Sequence, residues 1–144
     1  MEKDLHSLDE LQAEAARFVT DLSPKSDGAT LVTLSGELGA GKTSFTQGVA
    51  RALGVEGAVT SPTFVLMKIY PLIDKPFKRL VHIDAYRLKG AEELSPLGLD
   101  EVLADSENLV LLEWPEQVEG GLSKADHTLS FTVVSENERK LIYG

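Results

Sequence analysis

Cysteine is absent from the 144 residues, which excludes a disulfide framework and any zinc site built on thiolates. No apolar run approaches the ~20 residues that span a bilayer, and the opening Met1-Glu2-Lys3-Asp4-Leu5-His6 has no hydrophobic signal core. A cytoplasmic protein without a membrane segment is the expectation. Positive charge is scarce. Lys and Arg number 14 against 23 Asp and Glu, a formal net charge of −9, so the chain is not expected to grip a nucleic-acid backbone unaided. The length predicts one domain over residues 1–144, with no room for a second catalytic unit.

What is present is a complete phosphate-loop pattern. Gly36-Glu37-Leu38-Gly39-Ala40-Gly41-Lys42-Thr43 reads G-x-x-x-x-G-K-T, and a chance match in a chain this long comes to roughly half a percent. Its glycines let backbone N–H groups turn inward around phosphate oxygens. Lys42 reaches the β and γ phosphates, and the Thr43 hydroxyl is available to Mg²⁺. The flanks agree: Thr30–Ser35 is β-branched and apolar, whereas Phe45, Val49, Ala52 and Leu53 recur at helical spacing. The spacing predicts a helix over 43–53 capped by Gly54, with its positive end at the phosphates.

Elsewhere, Leu8, Leu11, Ala15, Phe18, Val19 and Leu22 predict an amphipathic helix over 8–22, N-capped by Ser7 and stopped by Ser23-Pro24. Residues 64–70 and 79–84 read as an antiparallel hairpin around Asp74-Lys75-Pro76, with Pro71 closing the first strand. Residues 91–104 carry helical signals interrupted by Pro96 and Gly98. Residues 109–113 are apolar up to Glu113 and predict a central parallel strand, and 128–134 with 139–143 predict two short terminal strands around Glu136-Asn137-Glu138. Strands alternating with helices around a phosphate loop imply an α/β fold, a P-loop NTPase-like mixed sheet with helices on its faces and ligand at the carboxyl ends of the strands.

Two carboxylates occupy such ends. Asp84 closes one strand and Glu113 another, the latter where a P-loop protein carries its Mg²⁺-binding acid. Thr63 lies in the loop after the phosphate-loop helix, where it could sense the γ-phosphate or serve turn chemistry. Trp114 is the single tryptophan; it fills core, walls the site or meets a partner. His82 alternates with apolar neighbours and reads as packed. ATP is favoured over GTP, because the nearest match to a guanine-reading Asn-Lys-x-Asp segment, Pro24-Lys25-Ser26-Asp27, precedes the loop. Residues 68–89 hold Lys68, Lys75, Lys78, Arg79, Arg87 and Lys89 against Asp74 and Asp84. That local excess of cations is either a docking face or solvated lysines beside an anionic ligand.

The phosphate loop, Ser61-Pro62-Thr63-Phe64, His82-Ile83-Asp84-Ala85-Tyr86-Arg87-Leu88 and Leu112-Glu113-Trp114-Pro115-Glu116 together resemble, in order and spacing, the bacterial TsaE (YjeE) family. The phosphate loop alone is generic; the D-x-Y-R-L and E-W-P-E segments are specific. The resemblance implies a Mg²⁺-dependent ATPase that works with TsaB and TsaD in making threonylcarbamoyladenosine in tRNA, touching tRNA only through that complex. It implies that Lys42 and the backbone of Gly39, Ala40, Gly41, Lys42, Thr43 and Ser44 bind the phosphates. Thr43 and Glu113 would hold Mg²⁺, Asp84 would orient or activate water, and Thr63 would belong to a nucleotide-sensitive loop. Ser7 and Arg139 would lie near the base, where a threonine common in the family is Leu11 here. The alternatives are a small-molecule P-loop kinase, against which stands the lack of any Arg after Arg87 except Arg139, and a nucleotide-dependent binding module.

Overall fold

The computed structural model describes residues 1–56, 67–122 and 124–144. Its centre is a pair of parallel strands, β2 (Thr30–Ser35) and β5 (Asn108–Glu113). Every residue of β5 is buried, as expected of an apolar strand covered on both faces. The chain begins with β1 (Glu2–Leu5), and β3 (Met67–Pro71), β4 (Arg79–Asp84), β6 (His127–Val133) and β7 (Arg139–Tyr143) complete a seven-stranded mixed sheet in the order β1-β7-β6-β2-β5-β4-β3. Strands β4, β5, β2 and β6 are mutually parallel, whereas β3, β7 and β1 pair antiparallel with their neighbours.

Helices α1 (Leu8–Thr20) and α2 (Lys42–Ala52) cover one face. The Ser7 hydroxyl accepts from Glu10 N at 3.1 Å, satisfying an N-terminal donor of α1. α1 ends two residues before the sequence periodicity does, because its last turn tightens: Asp21 N donates to Phe18 O and Leu22 N to Val19 O. Leu22 nonetheless stays buried. α2 closes as expected with Gly54 at φ 82° and Val55 N donating to Ala50 O at 2.9 Å. Between the helices, Gly48 faces Ala15 so closely that a Cβ would sit 2.8 Å from the Ala15 Cβ. Phe18, Phe45 and Phe131 meet beneath them, with ring centroids 5.8 and 5.4 Å apart; burial of each such ring contributes roughly 1.5–3 kcal/mol.

The opposite face packs Val81, Ile83, Val110 and Leu112 against Leu88, Leu94, Leu99 and Val118. The expected helical stretch 91–104 is broken there into short 3-10 turns at Ala91–Glu93 and Ser95–Leu97, followed by α3 (Leu99–Ala104). Pro96 lacks an N–H, and Gly98 turns left-handed at φ 77°, so a continuous helix cannot pass. Over the described residues the hairpin β3–β4 forms as expected, with Pro71 as the last residue of β3 rather than beyond it, while 64–66 of the expected strand lie outside the described residues. Strand β1 was not foreseen: four residues, of which only Leu5 is buried, leave no periodic signal. It is held by its pairing with β7. Among the described residues no helix is long and apolar enough to cross a membrane.

Candidate nucleotide-binding site

The phosphate loop leaves the carboxyl end of β2 and enters α2, with Gly36, Gly39 and Gly41 all at positive φ (148°, 79° and 111°). At Gly36 a Cβ would also lie 2.6 Å from Phe131 O, so only glycine lets β2 turn beside β6. Gly41 is the N-cap of α2 and provides no side-chain hydrogen bond, and the first turn contains no acidic residue. The positive end of α2 is thus left uncompensated by its own side chains, as an anion-binding helix start requires.

Lys42 is only 5% exposed. Its ammonium donates to the Gly36 carbonyl and to Glu37 O at 3.1 Å, and stands 3.8 Å from the centre of the Trp114 ring, a cation–π contact. Burial draws the Lys42 pKa below the usual lysine value, although the carboxylates of Glu113, Glu116, Asp84 and Glu37 pull it the other way. Trp114 takes this position through a left-handed backbone (φ 62°, ψ 52°), a conformation costing a non-glycine residue about 1–2 kcal/mol. Its N–H donates to Leu34 O at 3.1 Å, and its ring packs on Tyr86 with centroids 4.9 Å apart. The side chain thus both packs against the cluster of Val81, Ile83, Val110 and Leu112 and stands beside Lys42.

Glu113 and Asp84 stand opposite each other at the ends of β5 and β4. Side-chain alternation puts both on the sheet face that carries α2, together with His82, Leu109 and Leu111. Thr43 Oγ1 lies 3.5 Å from Glu113 Oε1, while Asp84 Oδ1 accepts from Tyr86 N at 3.0 Å. The oxygen donors of Thr43 and Glu113 suit Mg²⁺, a hard ion held through one or two carboxylates with the phosphates of a substrate. Sequence reasoning missed one member of this group. His82, fully buried, places Nε2 2.5 Å from Glu113 Oε2; the available signal was its position two residues before Asp84, on the same face of the strand.

Ser7, Leu8, Leu11, Gly39, Ser44 and Arg139 line a pocket next to the loop. The structure therefore brings Ser7 and Arg139 to the phosphate loop, but with their polar groups already engaged: Ser7 caps α1, and Arg139 donates to the carbonyls of Ser135, Glu136, Glu138 and Gly39 at 2.8–3.2 Å. Leu11 presses on Gly41, its Cδ2 lying 3.0 Å from where a Cβ would be. Thr63 lies outside the described residues, as does the rest of Ser61–Phe64. In the basic segment, Arg79 is committed internally, to Asp105 at 2.6 Å and Asn108 at 2.7 Å, and Lys78 pairs loosely with Glu107 at 3.8 Å.

A family profile described as "Threonylcarbamoyl adenosine biosynthesis protein TsaE" matches residues 5–141. The tRNA threonylcarbamoyladenosine biosynthesis protein TsaE of Streptomyces coelicolor is 54% identical over 88 residues, 60% of this chain and 57% of the relative. The protein of the same description from Treponema pallidum is 32% identical over 128 residues, 89% of this chain and 91% of the relative. The chain thus spans little more than half the length of the Streptomyces protein (57%) and nearly all of the Treponema one (91%). The crystal structure of Bacillus subtilis YdiB superposes with a TM-score of 0.78 at 29% identity, covering 99% of this chain and 83% of YdiB.

Proposed function

The chain belongs to the TsaE family of threonylcarbamoyl adenosine biosynthesis proteins, and from that premise we propose that it is the ATP-binding and ATP-hydrolysing subunit of the tRNA threonylcarbamoyladenosine machinery, supporting turnover of a TsaB–TsaD transferase. The observation that carries the ATPase reading is the 3.5 Å approach of Thr43 Oγ1 and Glu113 Oε1 at the uncapped start of α2, next to the Lys42 ammonium.

Each residue's part follows from its chemistry. Backbone N–H groups from Gly39 to Ser44 receive the β and γ phosphates, and Lys42 adds a positive charge there. Thr43 and Glu113 supply the oxygens that would hold Mg²⁺. When bound, that ion neutralises charge on the phosphate oxygens. Asp84 orients the attacking water and takes its proton on the carboxylate. Trp114 and Tyr86 flank this end of the sheet with apolar surface and limit water there. The base lies along Leu8 and Leu11, where Ser7 and Arg139 fix the shape of the pocket through their hydrogen bonds to backbone.

A kinase reading gains nothing from Arg139, the single arginine after Arg87, because its guanidinium is spent on four carbonyls. The test is phosphate release by the chain alone, then with TsaB and TsaD, then with tRNA added. Stimulation by the pair supports the proposal. Phosphate transferred to a small hydroxyl compound would replace it with the kinase.

A further inference from the structure

We infer that His82 is a positioning residue: its imidazole fixes the Glu113 carboxylate so that one oxygen remains turned toward Thr43 and the ion they would share. This rests on the nucleotide-site reading and concerns a side chain to which that reading gives no task.

Glu113 is 2% exposed, with Leu111 next to it on that face of its own strand and Leu34 and Asp84 in register with it on the two neighbouring strands. A carboxylate in such surroundings is tolerated only when its oxygens are satisfied. The two oxygens are divided: Oε2 meets His82 Nε2 at 2.5 Å, and Oε1 faces Thr43 Oγ1 at 3.5 Å. An ionised carboxylate only accepts hydrogen bonds, so Nε2 carries the proton and donates.

The other ring nitrogen makes the assignment sharper. His82 Nδ1 is buried without a hydrogen-bond partner among the described residues. As filler in this layer, a leucine would pack as well with no orphaned polar atom. Among the described residues the one polar contact of the imidazole is with Glu113, and its polarity acts there through that carboxylate. The reach is diagonal across parallel strands: His82 is in register with Leu111, and Glu113 lies two residues further along β5, opposite Asp84. With Oε2 pinned, rotation of the carboxylate about its terminal bond is blocked, and Oε1 keeps its aim. Groups that hold metal ligands in this way change metal affinity or activity by about 10- to 100-fold when removed.

The test uses the full chain and reads Mg²⁺ dependence of ATP binding by calorimetry, with Trp114 emission as a second signal. His82→Leu removes the donor at similar volume, His82→Gln retains an N–H, and Glu113→Gln removes the charge. For His82→Leu the expected result is a Mg²⁺ midpoint raised by roughly 10- to 100-fold, with ATP binding in excess chelator unchanged and substantial recovery in His82→Gln. In a Glu113→Gln background His82→Leu should add no further shift, since the two act as one unit. A His82→Leu protein that melts as a folded chain and keeps the parent's Mg²⁺ midpoint overturns the inference, as does full additivity with Glu113→Gln. If His82→Leu does not fold, the inference stands or falls on His82→Gln: its Mg²⁺ midpoint should lie near the parent's, and a midpoint shifted as far as that of Glu113→Gln overturns it. A parent chain whose ATP binding ignores Mg²⁺ overturns the nucleotide-site reading itself and this inference with it.

Discussion

The Lys42 ammonium stands 3.8 Å from the centre of the Trp114 ring while donating to carbonyls of its own loop. A phosphate group entering the loop offers that ammonium a fully charged partner, which outcompetes a neutral carbonyl and a ring face. Nucleotide binding is therefore expected to change the emission of Trp114, the single tryptophan. Lys42→Ala should lose the charge-assisted bonds, worth about 1.5–3 kcal/mol, and weaken ATP binding by about tenfold or more. Fluorescence titration of parent and variant checks both; ATP hydrolysis by Lys42→Ala at the parent's rate under saturating Mg²⁺ would remove the phosphate-loop assignment.

The two carboxylates at the strand ends should separate kinetically. Glu113→Gln takes away the charge a hard cation prefers, so the expected loss is in Mg²⁺-dependent ATP binding. Asp84→Asn leaves nucleotide affinity near the parent's while turnover falls by about 10² or more, the scale of a lost general base. Phosphate-release assays with binding curves decide it. Parent-like turnover in either variant takes that residue out of the mechanism.

The parts of this site that were legible in the sequence are those encoded locally. Glycine spacing fixed the loop, helical periodicity announced α2, and an apolar run ending in Glu113 marked a central strand. What was hidden depends on non-local pairing or on a single dihedral. His82 could be placed on the same strand face as Asp84, but its contact with Glu113 requires knowing that β4 and β5 are parallel neighbours in this register. Trp114 covers Lys42 only because its backbone is left-handed, a conformation that composition does not predict for tryptophan. Arg79 looked available for docking, yet Asp105 and Asn108 reach it from a segment 26 to 29 residues away.

The contact of Gly48 with Ala15 predicts a stability effect remote from the chemistry. Gly48→Ala gains helix propensity, up to ~1 kcal/mol, but its methyl would lie 2.8 Å from Ala15 Cβ and 3.1 Å from the Gln12 backbone. Neither neighbour is a flexible side-chain end, so overpacking of about 1–3 kcal/mol prevails. Thermal melts should show Gly48→Ala below the parent and Gly48→Val lower still. A melting temperature at or above the parent's for Gly48→Ala means the helices separate without penalty.

An acidic chain should not hold tRNA alone. Negligible binding by the isolated protein is expected at physiological salt, with ATP-dependent association to the TsaB–TsaD pair. The docking test is best confined to Lys68 and Lys75. Reversing Arg79 would break its pairing with Asp105 and confuse folding with binding. Lys68→Glu with Lys75→Glu should weaken association mainly through a slower, salt-dependent on-rate. Unchanged association rejects the basic segment as the docking face, and strong salt-sensitive tRNA binding by the chain alone rejects the first expectation.

Acid stability should be set in part by Glu14, which joins α1 to β7. Arg17 donates to it at 2.5 and 3.0 Å, Tyr143 donates its phenol hydrogen, and Lys3 lies 3.8 Å away. Burial alone would raise this carboxyl, but the bonds from Arg17 and Tyr143, with the charges of Arg17 and Lys3, outweigh it and hold the pKa below the usual 4.5. Tyr143, pushed up by burial and by Glu14, keeps its proton throughout the acid range. A folded-state pKa below the unfolded one stabilises the fold above the unfolded value, and the contribution is lost as pH falls from about 4.5 through the depressed value. Glu14→Gln should therefore cost about 1–2 kcal/mol at pH 7, discounted because Arg17 is half exposed, and much less at pH 3. Urea unfolding of parent and variant at the two pH values measures the gap. A gap of the same size at both would show that the carboxylate's charge contributes nothing to holding α1 on the sheet.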